Sequence, residues 1–163
     1  MADFNSLQSG DLLVWSRSAK RSKANIDYLD IVRLLTISDF GHVSVVWNEN
    51  GTMQHVEAVQ PKIHKTYVPR TNGLYVIPMG LQLANADMES FFGDKIGLPY
   101  SLMDAFRGWV GFTLKDENKW QCAELTLEFY RAMGLNISGG YTPSRLIRKI
   151  MNELDKPLLK LNP

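Results

Sequence analysis

Apolar positions along this chain follow two periods, and the change between them divides it. In the first half the period is two. Residues 42–47, His-Val-Ser-Val-Val-Trp, alternate and are rich in β-branched side chains; residues 52–59, Thr-Met-Gln-His-Val-Glu-Ala-Val, alternate again. Both are predicted strands. Asn48-Glu49-Asn50-Gly51 between them is a hairpin turn signal. Two shorter apolar runs, 10–16 after a Gly-Asp turn and 74–78 closed by Pro78, read as buried strands. Within 24–36, Tyr28, Ile31, Val32 and Leu35 recur at helical spacing. From residue 82 the helical period takes over. Residues 82–93 carry Leu83, Ala84, Ala86, Met88, Phe91 and Phe92, and 121–133 form the clearest helix, with Gly134 placed to end it. Thr142 and Pro143 open a last helix as N-cap and first residue, with Leu146, Ile147, Ile150, Met151 and Leu154 on one face. The order predicts an α+β fold, a mostly antiparallel core flanked by helices, and not alternating βαβ units.

The central hairpin allows two registers. With a four-residue loop, Trp47 pairs with Thr52 and His42 with Glu57. With Asn50-Gly51 as a two-residue turn, Glu49 pairs with Thr52, and Glu57 faces Ser44, diagonal to His42. Both registers keep His42, Ser44 and Val46 on one face with Met53, His55 and Glu57. Cross-strand neighbours lie about 5 Å apart and diagonals about 7–8 Å, so a carboxylate reaches an imidazole either way. The opposite face, Val43, Val45, Trp47, Gln54, Val56 and Ala58, is mostly apolar. The polar face has two accounts: a side that simply meets water, or a surface built for chemistry.

Composition narrows the classes. At 163 residues the chain fits one domain, 1–163. A chain of this size buries roughly two-thirds of its unfolded surface. Eighteen basic residues stand against 17 acidic ones, net +1, so no nucleic-acid partner is expected. A single cysteine forms no internal disulfide and points to a reducing compartment. The polar N-terminus lacks a basic segment followed by an apolar run, and no stretch reaches about 18 uninterrupted apolar residues. A cytoplasmic protein without an integral membrane segment is the expectation. The basic, serine-rich run Arg17–Asn25 reads as a solvated loop. Oligomeric state stays open.

Cys122 is the only thiol, and it opens the 121–133 helix in Trp-Gln-Cys-Ala-Glu. Unpaired N–H groups and the positive dipole end stabilise a thiolate there, and the same N–H groups hold an oxyanion. The alternative is a buried cysteine used as a small apolar residue. A thiolate nucleophile needs an imidazole. His42 and His55 sit on the two hairpin arms, and Glu57 is placed to orient His42 and fix its tautomer. His55 is an alternative base or a pocket wall. His64 follows Pro61 in an expected loop, Pro61–Asn72, and reads as a surface residue. Cys122, His42, His55 and Glu57 could supply four metal ligands, but no CxxC or HExxH spacing supports a metal. Around no serine is there a G-x-S-x-G elbow, and Gly139-Gly140 leads into Tyr-Thr-Pro, not a phosphate loop.

In this order the motifs resemble the circularly permuted NlpC-like branch of the papain-like cysteine peptidases and amidases. Gly10-Asp11-Leu12-Leu13-Val14-Trp15 resembles the opening strand, and Phe40-Gly41-His42-Val43-Ser44-Val45-Val46 the catalytic histidine strand. His55-Val56-Glu57-Ala58-Val59 resembles the strand with the polar third member, and Gly97-Leu98-Pro99-Tyr100, continuing to Asp104, the G-x-P-Y segment. Trp120-Gln121-Cys122-Ala123-Glu124-Leu125 resembles the nucleophile helix, and Tyr141-Thr142-Pro143-Ser144-Arg145-Leu146 the closing segment. The matches span roughly residues 10–147, with the histidine ahead of the cysteine, as the permuted branch requires. Ala123 stands where relatives often carry serine, and the 26–35 helix looks like an insertion over the cleft.

The resemblance implies a permuted papain-like fold, a small antiparallel barrel-like sheet packed against the nucleophile helix. It implies Cys122 as nucleophile, His42 as base and Glu57 as third member, with Tyr100 lining the site beside His55 and Ser44. The implied reaction is hydrolysis of an amide bond in a peptide-like or acyl substrate through a thioester, without cofactor or metal. A cell-wall peptide is one such substrate. Two rivals are acyl transfer or lipid hydrolysis at the same Cys–His site, and a non-catalytic binding module that keeps the fold.

Overall fold

A computed structural model describes residues 1–16, 19, 39–100 and 120–162. The elements, in chain order, are β1 (Ala2–Asp3), β2 (Leu12–Ser16), β3 (Phe40–Glu49), β4 (Thr52–Val59), β5 (Lys62–Tyr67), β6 (Leu74–Ile77), α1 (Asn85–Phe92), α2 (Cys122–Ala132), α3 (Pro143–Glu153) and β7 (Leu159–Asn162). The expected helix within 24–36, most of the Arg17–Asn25 loop and Ser101–Asp104 lie outside the described residues.

The β3–β4 hairpin takes the two-residue turn, with Glu49 opposite Thr52 and Val45 opposite Val56. Asn50 and Gly51 carry positive φ values of 53° and 86°. That is the backbone an Asn-Gly hairpin turn uses, and it matches the right-handed twist of the strands. Among the described residues, seven strands form one sheet in the order β1-β7-β6-β2-β3-β4-β5. Beyond β5, an isolated bridge pairs Lys62 with Pro99. All neighbours are antiparallel except the parallel pair β1–β7.

The sheet carries a core on each face. On one face Leu12, Val14, Val43, Val45, Trp47, Val56 and Ala58 pack with Met88 and Phe92 of α1, Leu125 and Phe129 of α2, and Leu146 and Ile150 of α3. On the other, Leu13, Trp15, Val46, Leu74 and Val76 meet Phe4, Leu7, Val68 and Leu161. Burial on both sides explains why β2 reads as a continuous apolar run.

The helices start later than their apolar pattern. Residues 82–84 are not helical and α1 begins at Asn85; Gln121 caps α2, which ends before Gly134 with its φ of +84°. Pro143 opens α3 behind Thr142, as expected, but Met151 is 36% exposed and lies off the buried face. Among the described residues, no helix is long and apolar enough to cross a membrane.

Candidate active site

Antiparallel pairing brings the start of β3 beside the end of β2, and the end of β4 beside the start of β5. His42 therefore sits opposite Trp15, their rings edge to face with centroids 5.1 Å apart. Its Nε2–H donates to Glu57 Oε2 at 2.6 Å. His42 is 3% exposed and Glu57 7%. A short, water-excluded, charge-assisted bond of this kind holds a ring in one orientation and one tautomer. The register explains the contact: continued by one pair, it sets Glu57 opposite Ser44 and diagonal to His42.

Glu57 uses its second oxygen as well. His64 stands opposite it on β5, with Nε2 3.0 Å from Oε1. The expected surface loop is thus a strand, and His64, its side chain 36% exposed, is a partner of the buried carboxylate. The reason is the turn. Gln60-Pro61 joins two strands directly, with Val59 opposite Lys62. Counting outward from that turn pairs Glu57 with His64, a signal present in the sequence once Pro61 is read as a turn residue.

A second polar pair lies deeper. His55 Nδ1 is 3.0 Å from Ser44 Oγ, both residues are buried, and the His55 ring lies 5.1 Å from Trp15. The account in which this face meets water is overturned. His42, Ser44, His55 and Glu57 are all under a tenth exposed.

Cys122 is the first residue of α2 and is buried, 7% exposed. Gln121 Oε1 accepts from the Ala123 N–H at 3.2 Å, while its Nε2 donates to the Tyr141 carbonyl at 2.5 Å. The cap thus ties the thiol's helix to the segment entering α3. Cys122 belongs to the larger core, whereas Trp15, with the His42 and His55 rings against it, belongs to the smaller one.

Contacts at both ends of α2 give its direction along β3. Tyr130 Oη donates to the Gly10 carbonyl, and the Gly10 N–H donates to Val46. At the other end Gln121 holds Tyr141, and Ser144 Oγ, just inside α3, is 3.5 Å from the Phe40 carbonyl where β3 begins. The start of α2 therefore lies toward the end of β3 that carries His42.

Tyr100 is half-buried at the same end. Its N–H donates to the Pro61 carbonyl at 2.9 Å, and it bridges Trp120, two residues before Cys122. The candidate residues thus fall into two groups. Side-chain contacts join His42 to Glu57 and His55 to Ser44. Backbone and cap contacts bring Cys122 and Tyr100 to that end of the sheet.

Chemically, this end of the sheet offers a buried imidazole polarised by a carboxylate on the face of the smaller core, and a thiol at a helix N-terminus in the larger core. Among the described residues, no group of three or more His, Cys, Asp or Glu side chains is arranged to hold a metal ion.

No protein-family model and no curated protein matches the chain. Among solved structures it is similar to the crystal structure of metalloprotein YiiX from Escherichia coli O157:H7, DUF1105. The match has a TM-score of 0.54 and 18% identity, and covers 80% of this chain and 68% of that one. At that identity the likeness is one of fold: this chain is a mixed α+β protein with a YiiX-like architecture.

Proposed function

We propose that the chain is a cysteine-nucleophile hydrolase of the permuted papain-like, NlpC-like kind, with residues 1–163 as one catalytic domain. It cleaves an amide bond, peptide or isopeptide. The observation that carries this reading is the His42–Glu57 bond, 2.6 Å long and buried, at the end of the sheet toward which α2 begins with Cys122. A buried histidine–carboxylate pair has a bland reading as a satisfied core contact. The helix-terminal thiol at the same end favours chemistry instead.

In this mechanism the Cys122 thiolate attacks the carbonyl carbon, and the helix N-terminus stabilises the negative charge that develops on oxygen. His42 holds its Nε2 proton on Glu57, so Nδ1 is the atom that exchanges protons with the reacting groups. As imidazolium it protonates the leaving amine. The C–N bond breaks and a thioester remains on Cys122. His42 then takes a proton from water, hydroxide adds to the thioester, and the carboxylic acid leaves as the thiolate is restored. Tyr100, His55 and Ser44 shape the walls. The solved neighbour is described as a metalloprotein. The described residues here do not assemble a ligand set for a metal.

The test is the pH dependence of Cys122 alkylation by iodoacetamide in the wild type and in His42→Ala. An ordinary thiol titrates near pH 8.5. The proposal expects fast alkylation well below that pH, lost in His42→Ala. Slow alkylation titrating near or above about 8.5, unchanged by the substitution, overturns it.

A further inference from the structure

Among the described residues Glu57 meets two histidines, and His42 takes one of its oxygens. Its Oε2 takes the His42 proton, and its Oε1 lies 3.0 Å from His64 Nε2. His64 reaches it from the neighbouring strand, where the register sets the two residues directly opposite. The other ring nitrogen, Nδ1, is 3.2 Å from the Lys62 carbonyl. A carbonyl oxygen and a carboxylate oxygen both only accept. An ionised Glu57 oxygen only accepts, so toward it the His64 ring donates from Nε2. Glu57 lies between a buried ring and a half-exposed one, 3% against 36% by side chain.

We infer that His64 is a positioning residue: by donating to Glu57 Oε1 it fixes the carboxylate that orients His42. This rests on the proposed thiol chemistry and adds a fourth member to the Cys122–His42–Glu57 set. The physical reason is a geometric one. A carboxylate held by one hydrogen bond still rotates about its terminal torsion, which is broad. A second bond on the other oxygen removes that freedom. The His42 ring then keeps one orientation through the proton transfers. A charge-assisted partner also offsets the cost of keeping Glu57 ionised away from water. His64 touches no substrate in this account and acts only through Glu57.

The experiment follows iodoacetamide alkylation of Cys122 near neutral pH, with circular dichroism to verify folding. It compares wild type, His42→Ala, His64→Ala, His64→Gln, Glu57→Gln and the double variant Glu57→Gln/His64→Ala. The glutamine amide nitrogen stands in for the ring Nε2 donor. The inference expects His64→Ala to lower the rate about tenfold and His64→Gln to recover most of the loss. It also expects His64→Ala to have no further effect once Glu57 is glutamine, which a merely structural role would not produce. If His42→Ala slows alkylation but His64→Ala matches the wild type, the inference falls and the thiol reading stands. Equal losses in His64→Ala and His64→Gln also overturn it. If wild-type Cys122 reacts as an ordinary thiol and His42→Ala changes nothing, both fall together.

Discussion

Two polar clusters in this molecule are built around a single glutamate and sit in opposite surroundings. Glu57 divides its oxygens between His42 and His64 and is 7% exposed. Glu153, near the end of α3, gives Oε1 to the Ser138 hydroxyl and to Lys149 at 2.8 Å, and Oε2 to the Ser138 N–H at 3.0 Å. The second cluster is exposed and fastens the 134–142 segment to α3; its contacts compete with water at every point. The first is buried, with the Trp15 ring against His42. Partner count is therefore a poor guide to what a polar cluster does. Removal from water decides whether its electrostatics can orient a ring and move a proton.

The Trp15 contact is where this contrast breaks most easily. Trp15 is 2% exposed and carries both buried imidazole rings. Trp15→Ala is expected to cost about 3–5 kcal/mol in urea denaturation, the range for an aromatic removed from a core. No substitution in the Glu153 cluster should approach that value. A loss for Trp15→Ala no larger than that of a surface variant would mean that its neighbours close over the gap and that Trp15 does not hold the two rings.

Next in size is the charge itself. Glu57→Gln keeps the shape and removes the ionised acceptor shared by two histidines. The expected loss is about 1.5–3 kcal/mol, the worth of hydrogen bonds to a charged group. Urea midpoints at pH 7 check it, and Cys122 alkylation should slow in the same variant.

How much of this was legible in the sequence follows the same division between local and remote. Local pattern yielded the Asn50-Gly51 hairpin, the helices opened by Cys122 and Pro143, and the nearness of His42 to Glu57. Strand β5 was hidden because Lys-Ile-His-Lys-Thr-Tyr buries only Ile63 deeply. With β5 unread, His64 had no partner. The strands β1 and β7 are too short for alternation to register. Burial of the polar face could not be read either. Periodicity reports which face a residue takes, not what lies on that face.

Between the two glutamates stands a buried neutral contact. Tyr130 is 0% exposed, and its hydroxyl donates to the Gly10 carbonyl at 3.0 Å. Burial, with the nearby Asp11 carboxylate adding to it, pushes the phenol well above its ordinary value of 10. The folded value is the higher one. The contact's stability is therefore full below about pH 10, the unfolded value, and is lost as pH rises through the folded one. Tyr130→Phe should lose about 0.5–1.5 kcal/mol near neutral pH, with some added cost for the Gly10 carbonyl left behind. The variant should also lose less stability than the wild type on going from pH 8 to 11. Parallel alkaline curves for the two proteins would show that the hydroxyl makes no net contribution.

The smallest effect belongs to the exposed cluster, and it has the opposite sign in pH. Lys149, followed by the Ser138 hydroxyl and N–H, holds the Glu153 carboxyl down at about 2, from an ordinary value of 4.5. A depressed folded value means that the contribution is present above pH 4.5, the unfolded value, and is lost as pH falls toward 2. Glu153→Gln should therefore lower Tm slightly at pH 6 and by much less near pH 2, so the difference from the wild type closes on acidification. Added salt should shrink it further at pH 6, since water and ions reach every atom of the clip. A difference that persists at pH 2, or resists salt, would mean that Glu153 acts through packing of the 134–142 segment. The exposed cluster would then work by shape, as a core does, and the contrast with Glu57 would narrow to the proton that His42 holds.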